Sequence, residues 1–155
     1  MVEEFPFTEN EKGMFIRYVP VQDKDELSIS WILPYSGLDH ASKPVQYHSN
    51  LLGHEGPNSL LSYLKKEGLA TGLGAGVDHE LWGLTSFDVS ITLTKKGLEN
   101  YKQVLESVFK YAQIMRDAGP QQYVFEEVQR LGQIQFNFMS KGKPFDTASS
   151  YASRL

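Results

Sequence analysis

Two His-Glu pairs, His54-Glu55 and His79-Glu80, are the first places in this chain where chemistry could reside. A helical zinc site of the His-Glu-x-x-His type needs its second histidine four residues after the first, so that both imidazoles share one face. Asn58 stands at that place after His54, behind Pro57, and Gly83 stands there after His79. The inverted pattern needs a Glu-His pair, and the chain has none. The spacing therefore supplies no catalytic zinc site, and His54 and Glu55 read as hydrogen-bonding groups at the Pro57 junction. Nucleophilic chemistry fares no better. There is no Gly-x-Ser-x-Gly elbow, and His40, His48, His54 and His79 have no evident serine partner. Zero cysteines exclude thiolate nucleophiles, thiolate zinc sites and disulfides. Glu126-Glu127 reads as a solvated helix face.

The stretch Gly72-Leu73-Gly74-Ala75-Gly76 superficially suggests a dinucleotide loop. That fingerprint needs a strand before it and a helix N-terminus behind it. Here a helix pattern precedes and a strand pattern follows. Two readings stay open. One is a flexible connector. The other is a backbone edge kept clear of bulky side chains, to which a peptide could add as a strand through main-chain hydrogen bonds.

The elements that would hold these residues follow from periodicity. Residues 1–12 read as a lead-in loop. Gly13–Val21 is rich in β-branched and aromatic residues and predicts a strand, with Pro20 marking an edge or the end of pairing. Gln22–Glu26 is a turn, and Leu27–Leu33 alternates at period two, so the two runs predict a hairpin. Tyr35–His40 reads as loop. Ser42 is the expected cap of a helix from Lys43, with Pro44 in its first turn and Tyr47, Leu51 and His54 on one face. Pro57 is the expected first residue of a second helical segment, with Leu60, Leu61 and Leu64 as its apolar stripe and Gly68 as its stop. Leu69–Asp78 could be loop or weak strand.

Glu80–Thr94 carries the strongest strand signal, with Phe87, Val89, Ile91 and Leu93 on one face. Trp82 and Leu84 fall out of phase with that set, which predicts a bulge near Ser86. Thr94 is the expected cap of one long helix, Lys95 to about Ala118, burying Leu98, Tyr101, Leu105, Val108, Phe109, Ala112 and Met115. Lys95-Lys96 at its start opposes the helix dipole. A further helix runs from Pro120 to about Ser140, and residues from Ala148 onward look like the start of another element. The expected order is β-β-α-β-β-α-α. The fold class is α+β, a largely antiparallel sheet with long helices packed on it.

The bulk properties fit one globular domain. The chain has 155 residues, 41% hydrophobic and 22% charged, with a net charge of −4. Its basic residues are scattered, so no nucleic-acid or anionic-membrane footprint is expected. No apolar run is long enough to span a membrane. Cysteine-free composition fits a reducing compartment, and a cytoplasmic location is the expectation. The open amphipathic C-terminus suggests a piece cut from a longer protein.

Leu51-Leu52-Gly53-His54-Glu55-Gly56-Pro57-Asn58-Ser59-Leu60-Leu61-Ser62-Tyr63-Leu64-Lys65 resembles the signature of the second, non-catalytic domain of insulysin-like (insulin-degrading enzyme) M16 zinc metallopeptidases. Pro6-Phe7, Tyr18–Val21, Leu93–Leu98 and Ala118–Phe125 resemble that domain in the same order, so the likeness spans nearly the whole chain as a partial domain. The resemblance implies a parent built from four related α+β domains, whose two halves enclose a chamber for short peptides. Zinc would be held by His-x-x-Glu-His in another domain, and this chain alone would be inactive.

By the same resemblance, this domain supplies chamber wall and an exosite that anchors the substrate N-terminus. The implied exosite positions are Gln46, Ser49, Asn50, Gly53 and Glu55, together with Leu73, Ala75 and Val77. Gln46 and Asn50 stand where the family carries histidine, and Ser49 and Ala75 where it carries glycine. Expected partners are peptide substrates, the parent's remaining domains and a second copy of the chain. The alternative is a scaffold domain that binds partners without a part in proteolysis.

Overall fold

The computed structural model describes residues 7–21, 24–39, 41–81 and 83–152. Expectations for residues 1–6, Gln22, Asp23, His40, Trp82 and the last three residues lie outside that set. Two compact units divide the chain, residues 1–121 and 122–155.

The first unit is built on three antiparallel strands: β1 (Glu26–Pro34), β2 (Ala70–Leu81) and β3 (Leu84–Leu93). Their spatial order is β1-β3-β2. β3 is central because both its backbone edges are satisfied, by β1 through pairs such as Ile29↔Val89 and by β2 through pairs such as Ala75↔Val89. Its alternation does what the sequence predicts. Phe87, Val89, Ile91 and Leu93 are buried, while Asp88, Ser90 and Thr92 are only partly covered. Leu27, Ile29, Trp31 and Leu33 of β1 and Leu73 and Ala75 of β2 join the same core.

Helices α1 (Pro44–Leu52), α2 (Leu60–Lys66), α3 (Lys95–Glu99) and α4 (Tyr101–Ala118) complete the unit. They bury Leu52, Leu60, Leu64, Val104 and Val108 in that core. Each such side chain contributes about 1.5–3 kcal/mol of transfer free energy.

Several expectations are corrected. Gly13–Val21 is not a strand, and β1 pairs with β3 instead. Val19 is 94% exposed, and Phe15 stacks on Tyr101 at 5.4 Å. Strand propensity records how well a side chain fits a half-buried pleated surface, and this segment meets none.

The cap of α1 is Lys43, not Ser42. Lys43 is left-handed (φ 45°), outside the right-handed helical region that the following proline disfavours. Pro57 opens a turn rather than a helix. Asn58 has φ 65°, Ser59 N–H bonds Gly56 O at 3.2 Å, and the Ser59 hydroxyl then caps α2 by accepting from Ser62 N at 3.1 Å.

The single strand expected over Glu80–Thr94 is split. Leu81 pairs with Leu84 across a tight hairpin, where Gly83 has φ 103°. The bulge expected near Ser86 lies opposite it on β2, where the register shifts between Val77 and His79; a second shift lies between Ala70 and Gly72.

The long helix breaks at Asn100, whose side-chain amide donates to Lys96 O at 2.8 Å and competes with the helical ladder. The buried stripe of α4 is accordingly rotated from the expected one. Val104 is fully buried, and Phe109 is half exposed with its ring edge-on to Trp31 at 6.0 Å.

The end of α2 and the start of α3 are tied together where β2 begins. Gly68 (φ 68°) ends α2, with its N–H on Lys65 O at 3.0 Å and Leu69 N–H on Leu64 O at 2.9 Å. The Thr94 hydroxyl accepts from Gly97 N (2.9 Å) and donates to Gly68 O (2.7 Å). Lys96, awkward by the dipole argument, reaches back to Glu67 O at 2.7 Å and compensates the end of α2. Thr94→Ala is expected to cost about 1–2 kcal/mol, since cap and cross-link are lost together. Urea unfolding checks this, and Thr94→Ser should keep most of the stability.

The second unit contains α5 (Gln122–Asn137) and α6 (Pro144–Ala152). α5 ends at Asn137, short of the expected Ser140. Val124 is buried, whereas Leu131, Ile134 and Phe136 are largely exposed.

Candidate functional site

α1 lies alongside β2, and an open groove of about 500 Å³ is bordered by both. One wall is Pro44, Val45, Gln46 and Ser49 of α1. The other is Ala75, Gly76 and Val77 of β2, with Glu80 further along the strand. The approach is close. A Cβ on Gly53 would stand 3.7 Å from Ala75 N, and one on Gly76 3.9 Å from Ser49 Oγ. Ser49 is held in place by donating to Val45 O at 2.9 Å.

β2 is paired on one side only, by β3, and among the described residues no strand lies along its other side. Alternate residues of an edge strand direct N–H and C=O away from the sheet. The glycine-rich stretch is therefore strand, not flexible connector. Leu73, Ala75 and Val77 stand opposite Ile91, Val89 and Phe87 and so face the helices. Gly72, Gly74 and Gly76 occupy the other face.

Of the eight positions implied by resemblance, Gln46, Ser49, Ala75 and Val77 line the groove. Gly53 sits beside Ala75 where α1 ends. Leu73 packs against the core, and Asn50 is half-buried without lining the groove. Glu55 is exposed past the end of α1, outside the groove lining, and makes no side-chain hydrogen bond or ion pair among the described residues.

The opposite end holds Ser36, Asp39 and Lys43, which sequence reasoning missed, and Glu80, which it weighed only as part of a failed metal motif. Ser36 is fixed by Thr85, with its N–H on Thr85 Oγ1 at 2.9 Å and its hydroxyl 3.1 Å away, and it donates to Glu80 Oε1 at 3.2 Å. Thr85 is fully buried. Only the antiparallel closure of β2 on β3 brings residue 80 beside residues 36–43. The polar-loop composition of Tyr35–His40 was the one available signal.

Among the described residues, no group of three or more His, Cys, Asp or Glu could hold a metal ion. His79 Nδ1 lies 2.6 Å from Asp78 Oδ2 on the exposed surface. No helix among the described residues is long and apolar enough to cross a membrane.

The first unit is thus an antiparallel sheet with helices packed on it, and among the described residues no strand pairs with the outer edge of β2. Residues 2–131 match the family described as the peptidase M16 inactive domain, and the chain belongs to that family. Over 90% of its length it is 39% identical to the A-factor-processing enzyme of Saccharomyces cerevisiae (strain ATCC 204508 / S288c). It is 34% identical over 98% of its length to the insulin-degrading enzyme of Homo sapiens. The crystal structure of pitrilysin superposes on 85% of the chain with a TM-score of 0.79 at 27% identity. The chain spans 14%, 15% and 14% of those three proteins, respectively.

Proposed function

We propose that this chain is a substrate-holding, non-catalytic part of an insulysin-like zinc metalloendopeptidase. It contributes wall to a peptide chamber and anchors the substrate N-terminus by taking the peptide as an added strand along β2. The observation that carries this reading is the unpaired outer edge of β2, glycine-rich and bordered by the α1 groove. An added strand draws its affinity from main-chain hydrogen bonds and so accepts many sequences. Gly72, Gly74 and Gly76 let another backbone come close. Glu55, exposed and without a partner among the described residues, is the acceptor for the peptide's α-ammonium group. Zinc chemistry belongs to another part of the parent, and no step of it runs through the residues described here. The setting is cytoplasmic, and the remaining domains of the parent are this chain's partners.

The test is peptide titration of the chain, followed by fluorescence anisotropy. N-methylating the peptide backbone one residue at a time should weaken binding about tenfold at every second position and little between. A flat response along the peptide would sink strand addition. Glu55→Ala is expected to lose about fivefold for a free N-terminus and nothing for an acetylated one. Equal affinity for the two peptides in the unsubstituted chain would remove Glu55 from the reading and favour a scaffold role.

A further inference from the structure

Glu55 stands on a short loop between α1 and α2 whose two ends are fixed. On the incoming side Gly53 N–H donates to Ser49 O at 2.9 Å and His54 N–H to Leu51 O at 3.4 Å, so the chain leaves α1 in a closed turn. On the outgoing side Gly56 O accepts from Ser59 N at 3.2 Å, and Ser59 is the buried cap of α2. The His54 ring bridges these ends. A Cβ on Gly56 would stand 2.5 Å from His54 Nε2, 3.2 Å from Cε1 and 3.3 Å from Cδ2. One edge of the imidazole therefore fills the space that a side chain at residue 56 would need. His54 makes no side-chain hydrogen bond or ion pair among the described residues, so the ring contact is one of packing. It closes across Glu55 alone.

We propose that His54 is a positioning residue for the peptide N-terminus. By closing on Gly56 it fixes the backbone from which the Glu55 carboxylate meets the α-ammonium group. This rests on the reading that Glu55 receives that group. Glu55 is exposed and has no partner of its own among the described residues. Without the ring its backbone would sample more conformations, and ordering it would weaken binding. The glycine at 56 is then required by the ring lying on it and not by its own backbone, which has no positive φ.

The test is the affinity ratio of a free to an N-acetylated ten-residue peptide of Thr, Val and Ser, labelled at its C-terminus and followed by fluorescence anisotropy. The unsubstituted chain should prefer the free peptide about fivefold. His54→Ala should lower that preference to about twofold and leave the acetylated peptide's affinity unchanged. Gly56→Ala should do the same, because its methyl group displaces the tip of a side chain and no backbone. The double variant H54A/G56A should fall no further than either single variant, since both remove one contact. His54→Phe keeps a flat ring and should retain most of the preference. Thermal unfolding of each variant checks that the fold is kept. A preference unchanged in H54A or G56A, additive losses in the double variant, or a loss in H54F equal to that in H54A overturns the positioning role. If Glu55→Ala still abolishes the preference in that case, the Glu55 reading stands without it. Equal affinity for the two peptides in the unsubstituted chain overturns both.

Discussion

Gly97→Ala is expected to destabilise the first unit by about 3 kcal/mol, the upper range for forcing extra volume into a packed site. The sign is opposite to that of helix propensity, which favours alanine over glycine by about 1 kcal/mol inside a helix. Two effects compete, and geometry decides between them. Gly97 is buried in α3, and a Cβ there would overlap the Leu69 carbonyl. That carbonyl is backbone, not the tip of a flexible side chain, so relief means moving the chain. It also accepts from Thr94 N at 3.0 Å and stands just before β2 begins. Displacing it strains the α2 end, the α3 start and the first residues of β2 together. A fall in the urea midpoint without change in slope would show the loss, and unchanged or raised stability would overturn the argument. Peptide affinity should fall in the same variant.

Leu64→Ala is expected to cost about 3–4 kcal/mol, within the range for truncating a fully buried leucine. Leu64 has no exposed surface and sits in the core with Val89, Ile91, Val104 and Val108. It is also the residue whose carbonyl receives Leu69 N–H where α2 ends, and Leu69 is equally buried. The cavity therefore opens at the joint between α2 and β2, where both backbones are already fixed and collapse is restricted. Leu64→Met, which nearly conserves volume, should cost less than about 1.5 kcal/mol. Equal losses in the two variants would mean that backbone strain, not cavity formation, dominates there.

What could be read from residue order was whatever depends on local period. The alternation through Phe87–Leu93 and the stops at Gly68 and Gly119 are properties of a few neighbouring residues, and they stand in the fold. The α+β class follows from them. Partnership was not local. Gly13–Val21 has the composition of a strand, yet the position beside β1 is taken by β3, sixty residues away. Glycine content left Leu69–Asp78 undecided, and only the ladder to β3 makes it a strand. The groove divides the same way. Gln46, Ser49, Ala75 and Val77 were reached through resemblance, whereas Asp39, Lys43 and Glu80 meet only because the β2–β3 hairpin folds back.

The two register shifts in β2 set a length. Between them the ladder to β3 is regular only from Gly72 to Val77. A bulge bends its strand and increases the local twist, so the edge changes direction at each shift. Those six residues offer a template of about 20 Å. On the proposed strand addition the edge would act as a ruler: the regular run sets how many residues a guest chain pairs with before the edge changes direction. Under the proposed docking, that span would set how far from the anchored end the rest of the guest emerges, whatever its sequence.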